Sequence, residues 1–120
     1  GQAECYNYLG TAYMMQGDLN KGRDVCRKAL NIANNLGDNG AKAHALYHMG
    51  QASVGMGDMN SGVYEIKKAR RLFSKCRDRA GVSNCNSMLK QLGVIDLEMI
   101  FKPIILLSVG VILVLIVLMI

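Results

Sequence analysis

The sequence predicts an all-α protein: a solenoid of two helical hairpins and a capping helix, followed by a single transmembrane helix. Three observations predict this fold. Residues 1–40 align on residues 41–80 without a gap, apolar residues recur at three- and four-residue steps, and the last eighteen residues carry no charge. We therefore expect a repeat domain over 1–95, a juxtamembrane linker over 96–102 and an apolar helix over 103–120.

The two units share ten identical positions in this alignment. The identical pairs are Ala3/Ala43, Gly10/Gly50, Ala12/Ala52, Gly17/Gly57, Asp18/Asp58, Asn20/Asn60, Gly22/Gly62, Lys28/Lys68, Ala29/Ala69 and Asp38/Asp78. Small and turn-forming residues dominate the pairs, as closely packed helices joined by short turns require. The repeats are therefore expected over about residues 2–38 and 41–78.

The first unit predicts two helices. The first helix, over about residues 2–15, has one apolar face. That face consists of Cys5, Tyr6, Leu9, Ala12 and Tyr13. Gly17 ends this helix, and Asp18 is placed to cap the next one by accepting backbone N–H bonds. The second helix then buries a stripe of mostly small residues. The stripe consists of Gly22, Val25, Cys26, Ala29, Ile32, Ala33 and Leu36.

The second unit repeats this pattern and adds one helix. It predicts a helix over about residues 41–54 and another over about 59–76. The inward-facing residues of the latter are Val63, Ile66, Ala69, Leu72 and Phe73. A fifth helix over about 80–92 has no second helix after it, so we expect a solvating cap of the repeats.

The first unit also follows a known spacing: an aromatic residue, Leu-Gly, a second aromatic residue, a turn, and then small residues. These are Tyr6, Leu9, Gly10, Tyr13, Gly17, Asp18, Gly22, Cys26 and Ala29. In this order they resemble the tetratricopeptide repeat (TPR) family, in the long 40-residue form of Pins-like and kinesin-light-chain-like scaffolds. The chain departs from the family at Ser53, where tyrosine is preferred, and at Gly22 and Gly62, where alanine is preferred. The resemblance implies a helical-hairpin solenoid that binds proteins.

In TPR proteins the first helix of each repeat lines a concave groove. The resemblance therefore implies that the polar residues at these positions contact a protein or peptide partner, and solvation of a groove wall is the alternative. These residues are Glu4, Asn7, Thr11, His44, Tyr47, Gln51, Asn84, Ser87 and Gln91. The Lys and Asn clamp with which chaperone-binding TPRs hold a C-terminal carboxylate is not matched.

The C-terminal segment from Pro103 to Ile120 is uncharged and mostly Ile, Leu and Val. As a helix it would measure roughly 27 Å, close to the hydrocarbon thickness of a bilayer. We expect it to span the membrane, and a buried or partner-covered helix is the alternative. All charged residues lie at or before Lys102, so the positive-inside tendency predicts a single-pass, tail-anchored protein with its repeats in the cytosol.

Side chains that carry catalytic or metal chemistry show no functional pattern. The four cysteines have no CxxC pairing, so we expect buried, reduced thiols. They are Cys5, Cys26, Cys76 and Cys85. His44 and His48 lie four residues apart on one predicted helical face, but no HExxH motif and no carboxylate occurs in that helix. We therefore expect no metal, no cofactor and no enzymatic activity.

A basic segment lies late in the second repeat, where seven of thirteen residues are Lys or Arg. They are Lys67, Lys68, Arg70, Arg71, Lys75, Arg77 and Arg79. This segment is expected to bind anionic lipid headgroups or an acidic partner, and a solvated face is the alternative. Nucleic acid is not expected, because no aromatic stacking residues accompany the basic patch of this membrane-tethered domain.

Together these features favour a membrane-anchored TPR adaptor or scaffold that mediates protein–protein interaction at a cytosolic membrane face. The alternative is a structural subunit of a larger membrane complex, in which the C-terminal helix packs against the spans of other subunits. An enzyme is the third reading, and no cluster of acid, base and nucleophile supports it.

Overall fold

The structure, a computed structural model, describes residues 1–94 and 97–120, with side chains described for 1–94 and 107–120. The described helices are α1 (Gln2–Met15), α2 (Leu19–Leu36), α3 (Asn39–Gly55), α4 (Met59–Lys75), α5 (Arg79–Gln91) and α6 (Leu97–Met119). The chain divides into two compact units, Gly1–Leu89 and Lys90–Ile120. The prediction of an all-helical, hairpin-repeat fold is confirmed, with the ends of α1 to α5 within about two residues of those expected. The last helix, α6, begins at Leu97 rather than at the expected residue 103.

An aspartate directly precedes each helix from α2 to α5, and these aspartates are twenty residues apart. The four are Asp18, Asp38, Asp58 and Asp78. In each case Oδ1 accepts a hydrogen bond from the backbone N–H three residues later, over 2.9 to 3.2 Å. This side-chain cap satisfies one of the N–H groups that a helix start leaves unpaired. The capping role that the sequence predicts for Asp18 is therefore confirmed and extends to the other three turns.

Each hairpin closes at a pair of glycines. A Cβ placed on Gly10 would lie 2.9 Å from the carbonyl oxygen of Gly22, and one on Gly22 would lie 2.8 Å from that of Gly10. In the second hairpin, a Cβ placed on Gly50 would lie 3.1 Å from the carbonyl oxygen of Gly62, and one on Gly62 would lie 3.0 Å from that of Gly50. A side chain at either member of a pair would push the backbones apart, which explains glycine where the TPR pattern prefers alanine.

The core lies where α2, α3 and α4 pack together. It includes Cys26, Ala29, Leu46, Met49, Ala52, Ile66, Ala69, Phe73, Cys85 and Leu89, all at most 5% exposed. Burial raises the pKa of the Cys26 and Cys85 thiols to about 11, so both stay protonated at neutral pH. The prediction of buried thiols is confirmed for these two and is wrong for Cys5 and Cys76, which are exposed.

The buried face of α1 differs from the predicted one. The structure buries Ala3, Asn7 and Gly10, whereas Cys5 and Leu9 from the predicted apolar face are exposed. The reason is that α2 and α3 approach α1 on the side of its small residues. Leu36, predicted to lie in the buried stripe of α2, is also exposed.

The C-terminal helix requires a correction. Among the described residues, no helix combines the length and the apolarity needed to cross a bilayer. The predicted transmembrane helix over 103–120 and the predicted single-pass membrane localisation with cytosolic repeats are therefore wrong. From Leu97 the predicted linker is helical, and Asp96 lies outside the described residues.

Candidate functional site

A cleft of about 410 Å³ lies between α1 and the first half of α3. Its walls come from the first two turns of α1, the end of α2 and the start of α3. The lining residues are Gly1, Gln2, Ala3, Glu4, Asn7, Tyr8, Leu36, Asp38, Gly40, Ala41, His44 and His48. The lining mixes apolar side chains with a few polar groups, as is usual for ligand-binding clefts.

Asn7 provides an unpaired polar atom in this cleft. The residue is only 6% exposed, and its Oδ1 has no hydrogen-bond partner among the described residues. A buried amide oxygen without a partner is unfavourable, because it has lost its hydrogen bonds to water and gained none in return. A ligand N–H that reached this oxygen would supply the missing hydrogen bond.

Two histidines of α3 form the opposite wall. The ring of His44 meets that of Phe73 edge to face, with centroids 5.0 Å apart. Nδ1 of His48 lies within hydrogen-bond distance of Oε1 of Gln51, at 3.1 Å. Burial lowers the pKa of His48, as does the nearby His44, whereas the hydrogen bond to Gln51 raises it. The ring of Tyr47 packs edge-on against His48, with centroids 5.6 Å apart.

The residues predicted to line the groove occupy three places in the structure. Glu4, Asn7 and His44 line the cleft itself. Tyr47 and Gln51 do not line the cleft but contact the His48 ring. The hydroxyl of Thr11 donates to the backbone oxygen of Asn7 over 2.9 Å. The three remaining residues lie on α5, are exposed, and do not line this cleft. They are Asn84, Ser87 and Gln91.

Sequence reasoning missed Tyr8 as a cleft residue, whereas it placed His48 beside His44 on one predicted helical face. Tyr8 and His48 stand at the same position of the two repeats, forty residues apart. Each is one turn beyond a polar cleft residue on its helix, since Tyr8 follows Glu4 and His48 follows His44. That shared repeat position and spacing could have identified Tyr8 from the sequence.

A second polar cluster links the two repeats outside this cleft. Nε of Arg23 on α2 donates to the Ser53 hydroxyl oxygen over 2.8 Å, and Nη2 of Arg23 lies 3.1 Å from Oε1 of Glu65. The Ser53 hydroxyl donates to the same carboxylate oxygen over 2.8 Å. Ser53 replaces the tyrosine that the TPR pattern prefers, and a larger side chain there would occupy the place of the Arg23 guanidinium. The cluster therefore explains this departure.

The basic residues of the second repeat lie along α4 and in the turn between α4 and α5. Five of them are exposed, whereas Lys67 and Arg70 are half-buried. Nη1 of Arg70 donates to Oδ1 of Asn86 over 3.1 Å, which ties α4 to α5. The ammonium of Lys68 lies 6.0 Å from the centre of the exposed Tyr64 ring.

The fold and the cleft define a helical-repeat protein with a groove along the first helices of its hairpins. The tetratricopeptide repeat family model matches residues 3–36, and the chain therefore contains a TPR repeat there. The match covers α1 and α2 and does not support the long, 40-residue form of the repeat. No curated protein and no solved structure matched the chain. TPR repeats are generally elements of protein–protein interaction rather than of catalysis.

Proposed function

We propose that this protein is a binding adaptor whose cleft between α1 and α3 holds an extended segment of a partner protein. The buried, unpaired Oδ1 of Asn7 carries the proposal. A backbone N–H of an extended peptide is a donor of the right kind, because an extended segment leaves its own amides unpaired.

The surroundings of Asn7 support a peptide rather than a small ion. Tyr8 contributes a rigid aromatic face, and it is 76% exposed and therefore accessible to a ligand. His44 and His48 contribute imidazole nitrogens on the opposite wall. Tyr47 and Gln51 hold the His48 ring in place, which limits the side-chain entropy that is lost when a ligand binds.

The predicted groove residues of α5 remain part of the proposal. A segment longer than the cleft would continue toward the equivalent face of the next first helix, where Asn84, Ser87 and Gln91 lie in the repeat pattern. These side chains would add hydrogen bonds at the edge of the site, each of modest energy because water competes for exposed groups.

The test is quantitative crosslinking and mass spectrometry of the full chain in extract of its native cells. Asn7→Ala removes the unpaired oxygen, and Asn35→Ala removes an exposed amide outside the cleft. We expect the crosslinks of one partner to fall by about tenfold in Asn7→Ala, the equivalent of about 1.4 kcal/mol. Asn35→Ala should crosslink like the unmodified chain.

If Asn7 had a purely structural role, Asn7→Ala would destabilise the fold. Because its side-chain oxygen has no partner among the described residues, we instead expect Asn7→Ala to change the free energy of unfolding by no more than about 1 kcal/mol. If the variant unfolds much more easily, or if it retains every crosslink, the cleft is not the binding site.

A second candidate is a subunit of a larger protein assembly, and the uncovered side of α1 favours it. Leu9 is 44% exposed, and Cys5 and Ala12 are exposed beside it. Under this alternative, Leu9→Lys would release the chain from its assembly and Asn7→Ala would not. The adaptor proposal expects the opposite result.

A further inference from the structure

The turn between α4 and α5 differs from the other three turns in its backbone. Gly17, Gly37 and Gly57 each occupy the left-handed region after a helix, with φ between 65° and 88°. The fourth turn places Arg77 there, at φ 58°. A side chain disfavours this conformation, so the chain keeps a strained arginine where three equivalent positions have glycine.

The same turn differs in charge. Three of its five residues are basic, namely Lys75, Arg77 and Arg79. The equivalent segments 15–19, 35–39 and 55–59 contain no Lys or Arg. Arg71 adds a fourth cation one helical turn earlier on α4, and all four side chains are exposed. The basic turn, as we call these four residues, is therefore specific to one of four otherwise repeated structures.

Among the described residues, the four cations of the basic turn have no acidic partner in an ion pair. The nearest carboxylate in sequence is that of Asp78, and its Oδ1 accepts the N–H of Gly81 over 2.9 Å as the cap of α5. The four positive charges therefore repel one another in the free protein, and an anionic ligand would relieve that repulsion.

We propose that the basic turn is a docking site for an acidic segment of a partner protein. Arginine binds carboxylates through paired, parallel hydrogen bonds, so Arg71, Arg77 and Arg79 suit Asp and Glu side chains. The Asp78 carboxylate in the middle of the turn disfavours a uniformly charged phosphate chain or lipid surface. Separate carboxylates of a peptide can be spaced around it. The site is independent of the cleft between α1 and α3.

The test measures binding of a fluorescent peptide of alternating Glu and Ser to the full chain, by anisotropy at about 50 mM salt. Arg77→Gly restores the residue of the other three turns. We expect it to weaken peptide binding by about three- to tenfold while the melting temperature stays equal or rises, since the strain is removed. Gain of stability with loss of binding is a combination that a purely structural arginine would not produce.

The control is Lys28→Gln, which removes an exposed charge from α2 at the repeat position of Lys68. It should change peptide affinity by less than about twofold, because its distance from the basic turn leaves only screened attraction. Equal losses in the two variants, or unchanged binding by Arg77→Gly, would overturn the proposal.

Two further arms identify the ligand class and separate this site from the cleft. A DNA duplex or phosphatidylserine vesicles that bind more tightly than the peptide, with greater dependence on Arg77, would contradict an acidic protein segment. Asn7→Ala should bind the acidic peptide normally. If Asn7→Ala loses the peptide and Arg77→Gly does not, the peptide binds in the cleft and the proposal for the turn fails.

Discussion

The two hairpins of this protein share a sequence pattern and a helix–turn–helix arrangement. Some equivalent repeat positions are nevertheless buried in one hairpin and exposed in the other. Leu9 on α1 is 44% exposed, whereas Met49 at the equivalent position of α3 is 5% exposed. Ala12 is exposed and Ala52 is fully buried. The difference arises because α3 packs against both α2 and α4, whereas α1 packs against α2 and, less extensively, against α3. Burial in a repeat protein therefore depends on the neighbouring repeat as much as on the residue.

The hairpins also differ in their polar interiors. The second contains Ser53 and Glu65, joined to Arg23 of the first by hydrogen bonds. The first has Tyr13 and Val25 at the equivalent positions, and Tyr13 instead contacts the Lys21 ammonium, 4.6 Å from the ring centre. Only the second hairpin therefore uses a buried charge to contact its neighbour.

The largest expected difference concerns the paired apolar positions. Met49→Ala should lower the free energy of unfolding by about 2–4 kcal/mol, because it leaves a cavity in a packed core. Leu9→Ala should lower it by less than about 1 kcal/mol, since its side chain is already partly in water. Urea denaturation of both variants measures the two effects. Equal losses would mean that α1 is covered in solution.

The buried network should show strong coupling between its members. Arg23→Leu leaves the Glu65 carboxylate buried without its cation, at a cost of about 2–3 kcal/mol. The double variant Arg23→Leu/Glu65→Leu removes both charges and should be more stable than Arg23→Leu alone. A double-mutant cycle by urea denaturation measures the coupling. Strictly additive effects would show that Arg23 and Glu65 act separately, as they would if the hairpins met through apolar contacts alone.

Replacing a paired glycine by alanine should lower the stability of the two hairpins by amounts that differ less. A Cβ at position 22 would lie 2.8 Å from a backbone oxygen, and one at position 62 would lie 3.0 Å from its counterpart. We expect Gly22→Ala to lower stability by about 1–2 kcal/mol, because overpacking outweighs the better helix propensity of alanine. Gly62→Ala should lower it less.

Gly40→Ala is the control for the glycine pairs, since a Cβ there meets only ordinary contact at 3.5 Å, and thermal melts of all three variants would rank them. A Gly22→Ala variant as stable as the unmodified chain would show that the first hairpin is not tightly closed.

The smallest effect is the pH dependence that His48 adds to the second hairpin. Burial lowers its folded-state pKa below the ordinary value of 6.5, so the unfolded chain takes up the proton first as the pH falls. Its contribution to stability is complete above pH 6.5 and is lost between that value and the lowered pKa.

His48→Gln should therefore flatten the fall in the free energy of unfolding between about pH 7 and pH 5, by less than about 1 kcal/mol. Tyr8→Phe, at the equivalent position of the first hairpin, should leave that fall unchanged. Identical pH profiles for His48→Gln and the unmodified chain would show that the ring is solvated.

The sequence predicted the parts of this fold that depend on neighbouring residues in the chain. The glycine–aspartate pairs marked the turns, and the spacing of apolar residues placed the helices. The polar cleft was half-predicted, because Glu4, Asn7 and His44 were expected from the TPR resemblance whereas Tyr8 was not. The predicted transmembrane helix over 103–120 was wrong, since no helix among the described residues has the length and the apolarity needed to cross a bilayer.

What the sequence determined by itself was where each helix begins and ends, because caps, turns and helical periodicity act within a few residues. Only the tertiary structure decided which face of α1 is buried and which polar groups pair. Arg23 and Glu65 lie forty-two residues apart in sequence, and Asn7 is buried by helices that pack against α1. Such contacts depend on how helices pack against each other, and one chain's residue pattern does not specify that packing.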